Sequence, residues 1–101
     1  MARAHALLLD TNWRCADLKV LAEEAVAAYR VDHPEAVEVE GNPVNLTAKQ
    51  GLGLSLILHE LGTDAAKYGA LSRHEGRLRI SWQVENDNQG RRVRLDWRER
   101  H

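Results

Sequence analysis

Apolar residues take every second position from Leu78 to Val84 and again from Val93 to Trp97. Between them lies the turn-forming run Asn86-Asp87-Asn88-Gln89-Gly90. A strand sends successive side chains to opposite faces, so Leu78, Ile80, Trp82 and Val84 share a face of one strand, and Val93, Leu95 and Trp97 a face of the next. Two such strands joined by Asn, Asp and Gly predict an antiparallel hairpin. Its apolar side requires cover, and the rest of the chain supplies helical periodicity for that purpose. Helices on one face of a mostly antiparallel sheet make an α+β two-layer sandwich, which is the expected fold class.

The longest helical pattern begins at Thr47. Gln50, three residues on, completes a capping-box pattern that satisfies two backbone donors at the helix start. Leu54, Leu58, Leu61, Ala65 and Tyr68 form one stripe, and Gly69 is placed to end the helix. A second amphipathic helix is predicted from Asp17 to Tyr29, with Leu18, Leu21, Ala22, Ala25, Val26 and Tyr29 on its apolar side. Val37 to Glu40 alternates like a short strand closed by Gly41-Asn42-Pro43, and residues 2–9 read as a short helical stub. At 101 residues the chain is expected to form a single domain over 1–101, with a thin stability margin because a domain of this size buries only about 60–65% of its unfolded surface.

Composition excludes several functions. The net charge is −1, which suggests no polyanion partner, and the late arginines (Arg77, Arg79, Arg91, Arg92, Arg94, Arg98, Arg100) alternate with apolar residues as a solvated strand face does. Neither nucleic acid nor membrane is therefore expected as a partner, since no run approaches the ~18 apolar residues of a membrane span. Cys15 is the lone cysteine, which allows no intrachain disulfide and suits a reducing cytoplasm.

Within the long helix, His59-Glu60-Leu61-Gly62-Thr63-Asp64-Ala65-Ala66-Lys67 places Glu60, Asp64 and Lys67 four and then three residues apart, on one face. Read alone, the trio is a surface salt-bridge ladder worth a few tenths of a kcal/mol per pair. Three helix glycines (Gly51, Gly53, Gly62), each costing about 1 kcal/mol relative to alanine, and the apolar run Leu54 to Leu58 before the trio argue instead for a face bordering a cleft. Acid, acid, base suits a metal–polyphosphate: carboxylates are hard ligands for Mg²⁺, and an ammonium offsets phosphate charge. A zinc protease is excluded because Thr63 stands where the HExxH motif has its second histidine, and His33, His74 and His101 are too scattered to suggest a site.

The run HELGTDAAKYGALS, His59 to Ser72, resembles the asparagine box of the HWE class of bacterial sensor histidine kinases, roughly H-E-L-x-T-N-A-x-K-Y-G-A-L-S. The W-x-E of that class has its counterpart in Trp97-Arg98-Glu99. Asn12-Trp13 through Asp17-Leu18, the Val39-to-Gly41 strand end and the Gly76-to-Trp82 strand also look like the family's ATP-binding domain. The resemblance implies a partial GHKL ATPase fold, of the superfamily that includes DNA gyrase, with ATP and Mg²⁺ as cofactors. By that resemblance Glu60 would act near the γ-phosphate as the catalytic carboxylate, and Asp64 would hold Mg²⁺. Lys67 would contact phosphate oxygens, His59 would shape the same pocket, and Glu99 would meet the adenine amine. The implied partners in the intact system are a histidine-containing dimerisation domain and a response regulator. The alternative is a non-catalytic interaction module on the same scaffold.

Two departures from the family stand out. Asp64 replaces its asparagine, which adds negative charge beside a polyphosphate. The chain also stops at His101, before the family's glycine-rich boxes and lid, so little autonomous kinase activity is expected. An interrupted sheet would leave an open edge beside the hairpin, and a homodimer through that edge is expected.

Overall fold

The computed structural model describes residues 2–8, 16–31 and 33–100. In chain order these form strand β1 (Ala2–Leu8), the short strand β2 (Ala16–Asp17), helix α1 (Leu18–Arg30), a 3-10 turn (Pro34–Ala36), strand β3 (Val37–Glu40) and the short strand β4 (Asn45–Leu46). Helix α2 (Ala48–Lys67), a second 3-10 turn (Ala70–Ser72) and the hairpin strands β5 (Arg77–Asp87) and β6 (Gly90–Arg100) complete the chain. The architecture is α+β: two helices lie over one face of a four-stranded mixed sheet of order β1-β6-β5-β3.

The hairpin forms as its alternation predicts. Ile80 pairs with Trp97, Trp82 with Leu95 and Val84 with Val93, so the two apolar sets merge into a single face of the sheet. That face is the core floor: Leu78, Ile80, Val93, Leu95 and Trp97 are at most 2% exposed. Both helices close over it. Asp17 caps α1 by accepting from the Lys19 amide at 2.8 Å, and Leu18, Ala22, Ala25 and Val26 are buried beneath. Thr47 and Gln50 cap α2 reciprocally, at 3.1 and 3.0 Å, which satisfies two of the amides that a helix start otherwise orphans.

Three expectations are corrected. Residues 2–8 are a strand and not a helical stub, paired antiparallel to β6 from Ala2↔Arg98 to Leu8↔Arg92. Their alanines and leucines favour a helix locally, but the ladder along β6 satisfies every second backbone group in a way that a short isolated helix in water cannot match. The hairpin edge expected to be open, the route to the expected homodimer, is therefore taken by β1, and the terminal strands of the sheet are β1 and β3. β3 runs parallel to β5, Val37↔Leu78 to Glu40↔Ser81, which the 36 residues between them, including α2, make possible. Finally, Tyr68 leaves the buried stripe of α2. It is the C-cap, with φ −131° and ψ −14°, and this non-helical backbone swings its ring outward to 82% exposure. The expectations for Asn12, Trp13 and Cys15 lie outside the described residues.

Candidate functional site

The outward face of α2 carries the candidate trio. The helix ends in two amides, Tyr68 at 2.8 Å and Gly69 at 3.2 Å, converging on the Asp64 carbonyl, and Lys67 lies in the last turn, where a cation complements the helix dipole. His59, Glu60, Asp64 and Lys67 are all exposed, as is Thr63 between them. Among the described residues neither Glu60, Asp64 nor Lys67 makes an ion pair or a side-chain hydrogen bond, so the surface ladder that their spacing permits is not formed. The face continues toward the helix start through Leu52 and Leu56, 65% and 63% exposed. The cleft expected to border the trio has no second wall among the described residues; the face is open.

Two of the three helix glycines serve packing and not the site. Gly51 is buried, and a Cβ at Gly62 would stand 3.4 Å from the Tyr29 ring of α1, the distance at which the helices fit together. Gly53 alone faces open space, with nothing within 4 Å of a Cβ placed there.

Glu99 lies apart from the trio. Only 8% exposed, it accepts the Ala70 amide at 2.9 Å and the Trp97 indole N–H at 3.1 Å, so the end of β6 is fastened to the turn that follows α2. The chain closes tightly around this carboxylate. A Cβ on Gly69 would overlap Glu99 Oε1, and one on Gly76 would overlap the Ala70 carbonyl oxygen. Trp97 is wholly buried core, as expected. What sequence reasoning did not supply is this buried link itself, because Ala70 and Glu99 are 29 residues apart and no local pattern joins them.

The structure also joins His33 and His74, whose ring centroids are 5.0 Å apart in an edge-on arrangement, beside a cavity of about 190 Å³. Among the described residues no group of three metal-ligating side chains stands close enough together to hold an ion. A larger cavity, about 710 Å³, opens at the β5–β6–β3 end of the sheet and is lined in part by Glu35, Arg77, Arg98 and Arg100. None of His59, Glu60, Asp64 and Lys67 lines it.

The family model for HWE histidine kinases matches residues 1–43. Over 99 residues the chain is 29% identical to the blue-light-activated histidine kinase of Brucella ovis, covering 98% of this chain and 20% of that protein. It is related to the HWE histidine kinases. The same protein from Brucella anthropi is 30% identical over 97 residues, 96% of this chain. The HWE family match thus ends before α2, whereas the similarity to the blue-light-activated histidine kinases runs through α2 and Trp97-Arg98-Glu99; the chain spans about a fifth of the length of these curated relatives. Among the described residues no helix is long and apolar enough to cross a membrane.

Proposed function

We propose that the chain is an ATP-binding segment of a two-component sensor histidine kinase. In the intact system Mg·ATP would phosphorylate a histidine on a dimerisation domain, and the phosphoryl group would pass to a response-regulator aspartate in the cytoplasm. The observation that carries this reading is the unpaired trio. Acid, acid and base stand four and three residues apart on one helix face, with no partner among the described residues to neutralise them. Unpaired charges next to exposed Leu52 and Leu56 suit a face that a ligand or partner covers.

The donor set fits Mg²⁺ held jointly with a nucleotide and does not fit Mg²⁺ alone. Mg²⁺ is usually bound by one or two carboxylates together with substrate phosphates and water, and α2 offers Asp64 and Glu60 for that purpose. When bound, the metal would supply charge neutralisation across the phosphates. The protein's own part is positional. Asp64 would hold the metal, and Lys67, one turn on, would set a point charge against phosphate oxygen. Glu60 accepts a proton from the attacking group or orients it. Glu99 would mark the adenine end, where its tie to Ala70 fastens the end of β6 to the turn that follows α2. Phosphoryl transfer depends on positioning and electrostatics more than on covalent chemistry. This open face alone therefore binds without efficient turnover. Self-association through a sheet edge belongs to the same reading and, with β6 flanked on both sides, falls to β1 or β3.

Calorimetric titration with ATP, with and without Mg²⁺, tests the proposal. Binding that requires Mg²⁺ and disappears in both Glu60→Ala and Asp64→Ala is the expected result. Binding of equal strength in all three proteins would refute it.

A further inference from the structure

The outer face of the sheet, opposite α1 and α2, carries an arrangement that costs stability and that the nucleotide reading does not use. Arg77 pairs directly with Arg100, and Arg79 with Arg98, in neighbouring rows of the hairpin. All four are exposed, and all four line the 710 Å³ cavity. Like charges directly opposite across an antiparallel pair are destabilising, with Cβ atoms only about 4.5–5.5 Å apart. Among the described residues only Arg79 of the four is neutralised: it meets Glu40 at 2.5 Å and Glu38 at 3.8 Å, contacts that hold its pKa above the usual value, the Glu40 hydrogen bond foremost. Arg77 donates to the Gly76 carbonyl at 2.9 Å, and among the described residues Arg98 and Arg100 form no ion pair. Of the acidic residues at the cavity, Glu38 is committed to Arg79, Glu99 is buried and accepts from Ala70 and Trp97, and Glu35 forms no ion pair among the described residues.

We propose that this face binds an extended acidic peptide segment of a partner protein, with alternate carboxylates seated on Arg77, Arg98 and Arg100. The geometry selects an extended peptide. Arg98 and Arg100 are two residues apart on a strand, about 6.7 Å, which is the spacing of alternate side chains in any other extended chain. A guanidinium can grip each carboxylate with two parallel hydrogen bonds. Single-stranded nucleic acid has similar charge spacing but gains much of its affinity from stacking on aromatic side chains. Trp82 and Trp97 are buried on the opposite face, and among the described residues no aromatic side chain stands on this one. The arginines stand on the sheet face away from α2, while Glu99, which the nucleotide reading uses, lines the same cavity, so peptide binding is measured with no nucleotide present.

The test is fluorescence anisotropy of a fluorescein-labelled alternating Glu-Ser decapeptide, titrated with the chain at low ionic strength, alongside a labelled oligothymidylate decamer. Peptide binding at least fivefold tighter than oligonucleotide binding is expected. Arg98→Gln and Arg100→Gln should each weaken the peptide at least threefold, and the double variant at least tenfold. Thermal unfolding without peptide separates this from misfolding. Relief of like-charge repulsion predicts that each variant melts at the same temperature as the parent or higher, whereas a purely structural role for these arginines predicts lower melting. Unchanged peptide affinity in the double variant, oligonucleotide binding as tight as peptide binding, or a lowered melting temperature would each overturn the proposal.

Discussion

Replacing Glu99 by glutamine exchanges one carboxylate oxygen for an NH₂ group and should cost a large part of this domain's stability. The carboxylate's two oxygens serve different donors: Oε1 accepts the Ala70 amide at 2.9 Å and Oε2 the Trp97 indole at 3.1 Å. A carboxamide offers one accepting oxygen, and its other end is itself a donor. Whichever way the amide turns, one buried N–H faces another. A buried donor left without an acceptor costs about 1–3 kcal/mol. In a domain of this size that lowers the melting temperature by roughly 4–8 °C per kcal/mol. Urea unfolding followed by circular dichroism measures the loss directly. The arrangement also predicts a rescue. In Trp97→Phe/Glu99→Gln the indole donor is gone, so the amide can turn its oxygen to Ala70 without conflict. The double variant should then be less destabilised than the sum of the single variants by about 1 kcal/mol. A Glu99→Gln loss below about 0.5 kcal/mol, or strict additivity in the cycle, would show that this carboxylate does not fasten β6 to the end of α2.

Glycine substitutions should divide by what a Cβ would meet. Gly53→Ala, in open space, should stabilise the chain by about 0.5–1 kcal/mol, whereas Gly76→Ala, which drives a methyl into the Ala70 carbonyl, should destabilise it by about 1–3 kcal/mol; chemical denaturation distinguishes the two signs. Thr47→Ala removes half of the capping box and should cost about 1 kcal/mol, read from the same unfolding curves. Arg79→Ala breaks only exposed ion pairs and should leave the unfolding midpoint nearly unchanged, because solvent screens such pairs.

Much of the fold was legible wherever the determining interactions are local. The Thr47–Gln50 box and the stripe from Leu54 to Ala65 mark α2 because both act within a few residues. The hairpin is legible because alternation and turn chemistry coincide. β1 was not legible, since its alanine-rich stretch has no strand signal of its own and is made a strand by β6, some 90 positions later in the register Ala2↔Arg98. Tyr68 continued the helical apolar period in sequence but fell one residue past the last helical one, and backbone geometry overrode the period. At the candidate site, spacing placed Glu60, Asp64 and Lys67 on one face correctly. Their openness was hidden, because the apolar residues before them divide between core (Leu54, Leu58) and solvent (Leu52, Leu56). Glu99 was singled out through family resemblance alone, and its buried partners come from a contact that no sequence period encodes.

The measurement that bears most directly on the nucleotide reading is amide chemical-shift mapping by NMR as Mg·ATP is added to the chain. The account predicts shifts concentrated on the outward face of α2 from His59 to Lys67, extending to Ala70 and Glu99 and absent from the outer sheet residues Arg79, Arg94 and Arg98. Saturating Mg·ATP with no shift along α2, or shifts confined to the arginine face, would contradict it.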